Sequence, residues 1–147
     1  MLLSNEGMTL PKALADCLIM NTVATSRALL KRWDARLKPH GVTVQQFFLL
    51  AAIRYLPGQP VMVLAGRIAL DRTSLTRNLD LLGKKGLVRR VAGLPGNQRV
   101  CELTPEGDAV LEPLLAAWPD AYASVMKDIT DEEAAIYLSV ARRLAAP

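Results

Sequence analysis

The sequence predicts a mainly α-helical fold with one small β-hairpin, and three observations carry that prediction. Apolar residues recur at helical spacing along most of the 147 residues; Thr and Asp caps and Gly/Pro stops punctuate them; and two short β-branched runs around a Gly/Pro turn interrupt them once. The length fits one compact domain with a real core and leaves no room for a second large one.

Each element has its own signal. From about Leu10 to Lys38, Leu14, Leu18, Leu29, Leu30, Trp33 and Leu37 predict one long helix, ended by Pro39 and Gly41. Thr43 and Gln46 have the spacing of a capping box, and Val42 and Phe47 that of a hydrophobic staple. A second helix should therefore begin at Val44, carry Phe47, Leu50 and Ile53 inward, and end before Pro57 and Gly58. Pro60 to Val63 has the character of an edge strand, and Leu64 to Leu70 that of a brief helix. Asp71 is an N-cap for a third helix that stops at Gly86.

LVRRVA, the turn GLPGN and QRVCEL then predict a hairpin. Thr104, Pro105, Glu106 and Asp108 supply a cap, a first-position proline and an acidic first turn for a helix carrying Leu111, Leu114, Leu115, Trp118, Tyr122 and Val125. Pro113 and Pro119 should kink or interrupt it, at roughly 3 kcal/mol each. Thr130 and Glu133 form a second capping box for a last helix through Tyr137, Val140 and Leu144.

Charge is unevenly spread. Residues 1–60 hold seven Lys/Arg against three Asp/Glu, residues 61–100 eight against two, and residues 101–147 three against nine. The central excess of +6 stands out against a net charge of +4 for the whole chain and points to a polyanionic partner. At 100° per residue, Leu75, Leu79 and Leu82 fall within about 60° of one another, while Thr73, Arg77, Asp80 and Lys84 lie opposite with Thr76 beside them. Such a face suits the DNA major groove, where Arg77 can pair with guanine O6 and N7 and the threonines can meet base edges or phosphates.

A short helix, a tight turn, a helix from Arg72 to Lys85 and a hairpin make a winged helix-turn-helix, here flanked by helices at both ends. Nearly the whole chain resembles the MarR family of bacterial regulators. The likeness is strongest in LAGRIALDRTSLTRNLDLLGKKGLVRR and in LTPEG at Leu103 to Gly107, and extends to Cys17, Asn21, Arg27, Asp34, Leu37, Pro39, Gly41 and the QFFLL of Gln46 to Leu50. The resemblance implies a homodimer held by helices at about 10–38 and 105–146, around a DNA-binding lobe at about 43–104. It implies DNA contacts by Arg72, Thr73, Ser74, Thr76 and Arg77, with Lys84 and Arg90 as candidate phosphate contacts. Family wings often carry Asp-x-Arg; this one has PGNQR, with Asn97 near the acidic position and Arg99 as the candidate wing arginine.

Cys17 is a candidate redox position, because the family includes peroxide sensors with a cysteine on the first helix; its other reading is a small core residue. Trp33, Trp118 and Tyr122 are candidates for an effector pocket, or else core or dimer interface. Cys101 reads as packing, and His40 receives no role. Two cysteines and one histidine supply neither a disulfide framework nor a zinc site, and no Gly-rich phosphate loop or catalytic constellation is present. The expectation is therefore a non-enzymatic transcriptional regulator without a cofactor, a repressor released by a small-molecule or oxidative signal. Its partners would be a near-palindromic double-stranded operator, a second copy of itself and a small-molecule effector. The alternative is a winged-helix protein-interaction module without specific DNA binding. No run approaches about eighteen apolar residues, and Met1 to Pro11 lacks the order of a secretory signal, so the expected location is the cytoplasm, with no membrane partner.

Overall fold

The computed structural model describes residues 9–91 and 99–147. The elements run α1 (Lys12–Ala15), α2 (Leu18–Leu37), a 3-10 turn (Lys38–His40), α3 (Val44–Tyr55), α4 (Val61–Arg67), α5 (Arg72–Lys84), β1 (Val88–Val91), β2 (Val100–Leu103), α6 (Pro105–Val125) and α7 (Asp131–Ala145). The strands form an antiparallel hairpin in the register Val88↔Leu103, Arg89↔Glu102, Arg90↔Cys101, Val91↔Val100. This is a winged helix-turn-helix with helices before and after it. The turn between the strands, including Asn97, lies outside the described residues, as do residues 1–8.

Local hydrogen bonds set the helix starts. Thr43 Oγ1 accepts from Gln46 N–H while the Gln46 side chain accepts from Thr43 N–H, and Thr130 with Glu133 repeats the arrangement at α7. Thr104 Oγ1 accepts from Gly107 N–H at 3.1 Å to open α6. At the end of α5, Gly86 takes a positive φ of 71°, Leu87 N–H donates to Leu82 O and Gly86 N–H to Gly83 O, the Schellman pattern. Leu82 and Leu87 are both buried there, so the turn that ends α5 also directs the chain into β1. The turn from α4 to α5 places Ala69 at φ 58°, a left-handed conformation that costs a residue with a Cβ roughly 1–2 kcal/mol.

Three expectations are corrected. The segment Pro60 to Val63 is not an edge strand, because α4 begins at Val61; Val61, Leu64 and Ala65 are buried, and their helical spacing overrides β-branched propensity. One bond of strand character survives, from Val61 N–H to Arg99 O at 2.8 Å. The first helix is two, since Cys17 is extended and the Asn21 side chain donates at 2.9 Å to Ala15 O, a carbonyl that a continuous helix would have used itself, and to Cys17 O, which also accepts from Asn21 N–H. Finally, the two prolines expected to kink or interrupt α6 do not interrupt it: the helix runs from Pro105 to Val125 through Pro113 and Pro119. Burial of Leu111 and Leu114, with Trp118 packed against the core, offsets the helix bonds those prolines cannot make.

The core gathers side chains from α2 to α6. Trp118 of α6 stacks between Trp33 of α2, with centroids 4.3 Å apart, and Phe47 of α3, at 4.7 Å. Asp34 Oδ1 accepts from Val44 N–H at 2.8 Å, so α2 supplies an additional cap for α3. Arg54 of α3 pairs with Glu112 of α6, and Arg36 of α2 donates to Ala121 O at 3.1 Å.

At the junction of hairpin and α6, Gly107 is buried and a Cβ there would overlap the backbone carbonyl oxygen of Leu87, which cannot swing aside. Gly107→Ala is therefore expected to cost about 1–3 kcal/mol in chemical denaturation, the range of an overpacked core.

Candidate nucleic-acid interface

The surface of α5 follows from its sequence. Asp71 Oδ1 accepts from Ser74 N–H at 2.7 Å. This bond and the Ser74 hydroxyl hold the Asp71 carboxyl below the ordinary carboxylate range, and Arg77 adds a smaller pull in the same direction. Leu75, Asn78, Leu79 and Leu82 turn inward and are buried. Arg72, Thr73, Thr76, Arg77, Asp80 and Lys84 remain exposed along the other side.

Three adjoining grooves organise that surface. The first, about 520 Å³, is lined by Arg72, Thr73, Thr76, Arg77, Asp80, Leu81 and Lys84. A second, between α5 and the hairpin, adds Arg89, Arg90 and Arg99 to Asp80 and Lys84. The third joins Arg72 and Thr76 to Arg99 and the start of α4. The bond from Val61 N–H to Arg99 O holds the residue that leads into β2 beside α4, and so brings Arg99, 22 residues beyond Arg77, to the same surface.

The residues singled out in the sequence divide accordingly. Arg72, Thr73, Thr76, Arg77 and Lys84 share the first groove, and Lys84, Arg90 and Arg99 share the second. Ser74 is half-buried and lines none of the three. Arg89 is neutralised by Glu102, with Nε to Oε1 at 2.6 Å across the hairpin, whereas Arg72, Arg77, Lys84, Arg90 and Arg99 make no ion pair among the described residues. Those five cations are thus available to an external anion. The sequence reading missed Asn78 as an inward residue; its place three after Leu75 and four before Leu82 was the available signal.

The other candidates lie elsewhere. Trp33 and Trp118 line a groove of about 350 Å³ with Arg36 and His40, between α2 and α6, and Tyr122 does not line it. Cys17 is half-buried at the break between α1 and α2. Cys101 is buried, which pushes its thiol pKa up against the smaller opposing effect of Arg90 and Arg99. Among the described residues no group of three His, Cys, Asp or Glu is placed to hold a metal, and no helix is long and apolar enough to cross a membrane.

Comparison with known proteins places this architecture. A family model described as MarR family matches residues 40–99, the segment that contains α3, α4, α5 and β1. The chain is 33% identical over 94 residues to YhbI, an HTH-type transcriptional regulator of Bacillus subtilis (strain 168), and the match spans 60% of each chain. It is 34% identical to the M. tuberculosis transcriptional regulator MosR, with a TM-score of 0.74 over 90% of this chain and 93% of that one. MosR in complex with DNA matches at 32% identity, with a TM-score of 0.72 over 90% of this chain and all of that one. With its helix-turn-helix matched by the family model and nearly its whole length matched by MosR, this chain belongs to the MarR family of transcriptional regulators.

Proposed function

We propose that this protein is a cytoplasmic homodimer that binds a near-palindromic DNA operator through α5 and represses transcription until a small molecule or an oxidant releases it. The observation that carries the DNA reading is the exposed face of α5. Two threonines and Arg77 stand on a helix whose grooves are also lined by Arg72, Lys84, Arg90 and Arg99, which make no ion pair among the described residues. Threonines and a bidentate arginine read base edges, while the flanking cations meet phosphates. The complex of MosR with DNA supports the same assignment.

In this reading residues 43–104 form the DNA-binding lobe, and the segments 10–38 and 105–146 form the dimer. Exposed apolar residues support the second part. Leu18, Ile19 and Val23 on α2 and Ile136, Tyr137 and Leu144 on α7 are uncovered, and no α7 side chain is fully buried among the described residues. Surfaces of this kind call for a partner, and a two-fold pair would place two α5 helices on half-sites about one DNA turn apart. The groove beside Trp33, Trp118, Arg36 and His40 is the candidate effector position, its aromatic wall and the Arg36 guanidinium suiting a small aromatic anion. Cys17 is the candidate oxidant position.

Light scattering at micromolar concentration is expected to give a dimer mass; a monomer that binds an isolated half-site with full affinity would refute the two-fold arrangement. Replacing Lys84 or Arg90 by Ala should weaken binding about equally on every DNA sequence and lower the slope of log affinity against log salt by roughly one unit per lost phosphate contact. A protein-binding module would show no such slope. Arg77→Ala should cost about 1–3 kcal/mol on the operator selected from a random library and relax discrimination at one base pair per half-site, with fold and dimer intact. Equal losses on all single-base operator variants would instead place Arg77 on phosphate.

A further inference from the structure

Among the described residues, two polar side chains are buried in the core, Gln46 at 3% exposure and Asn78 at 5%, and they bond to each other. Gln46 Nε2 donates to Asn78 Oδ1 at 3.3 Å, from the first turn of α3 to the middle of α5. The other end of the Gln46 amide is already committed, since its Oε1 accepts from Thr43 N–H at 3.1 Å in the capping box. With the oxygen held there, the nitrogen must face α5, and Asn78 must answer with its oxygen. The Asn78 Nδ2 is left buried with no hydrogen-bond partner among the described residues. The first turn of α3 is in turn fixed to α2 by the bond from Val44 N–H to Asp34 Oδ1.

Stability does not account for this pair. A buried amide nitrogen without a partner is a net cost, and replacing both members of a buried polar pair with apolar groups of similar shape is often neutral or stabilising. A directional bond supplies something that Leu75, Leu79 and Leu82 cannot, which is a fixed rotation of α5 about its own axis. Apolar packing has no direction and tolerates a small roll. A side-chain tip about 6 Å from the axis moves about 2 Å in a roll of about 20°, beyond what a bidentate hydrogen bond tolerates.

We propose that the Gln46–Asn78 hydrogen bond is a positioning element that sets the roll of α5, and thereby the base discrimination of Arg77 and Thr76, with its polarity dictated by the α3 cap. The inference rests on the DNA-reading function proposed above. Coupling of α5 to α2 follows from the same line of bonds, through Gln46, the capping box and Asp34.

Asn78→Leu removes the bond and leaves the α3 cap whole. In the full chain, thermal unfolding is measured beside DNA titration, against the site that the parent protein selects from a random library and against a scrambled duplex of equal composition. The unfolding midpoint should change little, because the variant exchanges an unpartnered Asn78 Nδ2 for an unpartnered Gln46 Nε2 and gains apolar contact; affinity for the selected site should fall about tenfold or more, and affinity for the scrambled duplex should change less than about threefold. The smaller Asn78→Ala, which adds no bulk, carries the same expectation for discrimination. Gln46→Glu keeps the cap and, with the Asn78 amide turned over so that Nδ2 donates, keeps the bond; it should retain discrimination within about threefold of the parent.

Parent-like discrimination in both Asn78 variants overturns the proposal. So does a parallel loss on both duplexes with a lowered midpoint, the signature of packing alone, and so does a Gln46→Glu variant as undiscriminating as Asn78→Leu. A parent protein that selects no site refutes the DNA-reading function itself, a result distinct from any of these.

Discussion

Burial of Leu75, Leu79 and Leu82 along one side of α5 is the constraint on which the rest of the structure depends. Each such side chain contributes roughly 1.5–3 kcal/mol when removed from water, enough together to commit the helix to one face inward. The consequence is that Arg72, Thr73, Thr76 and Arg77 stand outward without needing any interaction of their own. The two ends of α5 are fixed with equal economy. Asp71 caps the start, and the left-handed Gly86 closes the end and delivers Leu87 to the core, so the helix and the hairpin are positioned by one piece of backbone.

Electrostatics then differentiates this face from the rest of the molecule. Among the described residues the hairpin carries Arg89, Arg90 and Arg99, and of these only Arg89 is answered there by an acid, because the strand register sets it opposite Glu102 and sets Arg90 opposite Cys101. A one-residue change of register in one direction would set Arg90 opposite Glu102 and Arg89 opposite Leu103, leaving Arg89 in place of Arg90 without an acid. Several acids of the C-terminal third are committed elsewhere: Glu112 and Asp108 face Arg54 between α3 and α6, while Asp131, Glu132 and Glu133 occupy the first turn of α7, where they suit its positive dipole end. The segregation of charge seen along the sequence is thus also a segregation in space.

The helices around the lobe are joined to it by a mixed seam. Trp33, Trp118 and Phe47 bring α2, α6 and α3 into one stack, and Asp34 and Arg36 add directional bonds on either side of Trp33. Anything that moves α2 acts on the first turn of α3 through Asp34. That turn also holds Gln46, the partner of a residue inside α5. The exposed face of α5 and the helices around the lobe are therefore connected through polar groups, which have two distinct states, bonded and broken, where apolar contacts slide.

The sequence by itself determined the features whose energetics are local. The caps at Thr43, Asp71, Thr104 and Thr130 each join residues three apart, and the inward and outward faces of α5 follow from its 100° step, so neither depends on distant chain. The MarR-like motif lies across these same elements, which is why fold and outward residues were legible together. Tertiary structure alone decided the rest. Val61 is helical because the core takes Leu64 and Ala65 with it; α6 continues through two prolines because Leu111 and Leu114 are buried; and the first helix breaks where Asn21 can serve two carbonyls. Arg99 reaches α5 through a backbone bond to Val61, and Gln46 finds Asn78 across 32 residues. Each of these rests on a contact between segments far apart in the chain, and no local preference records the partner that will be there.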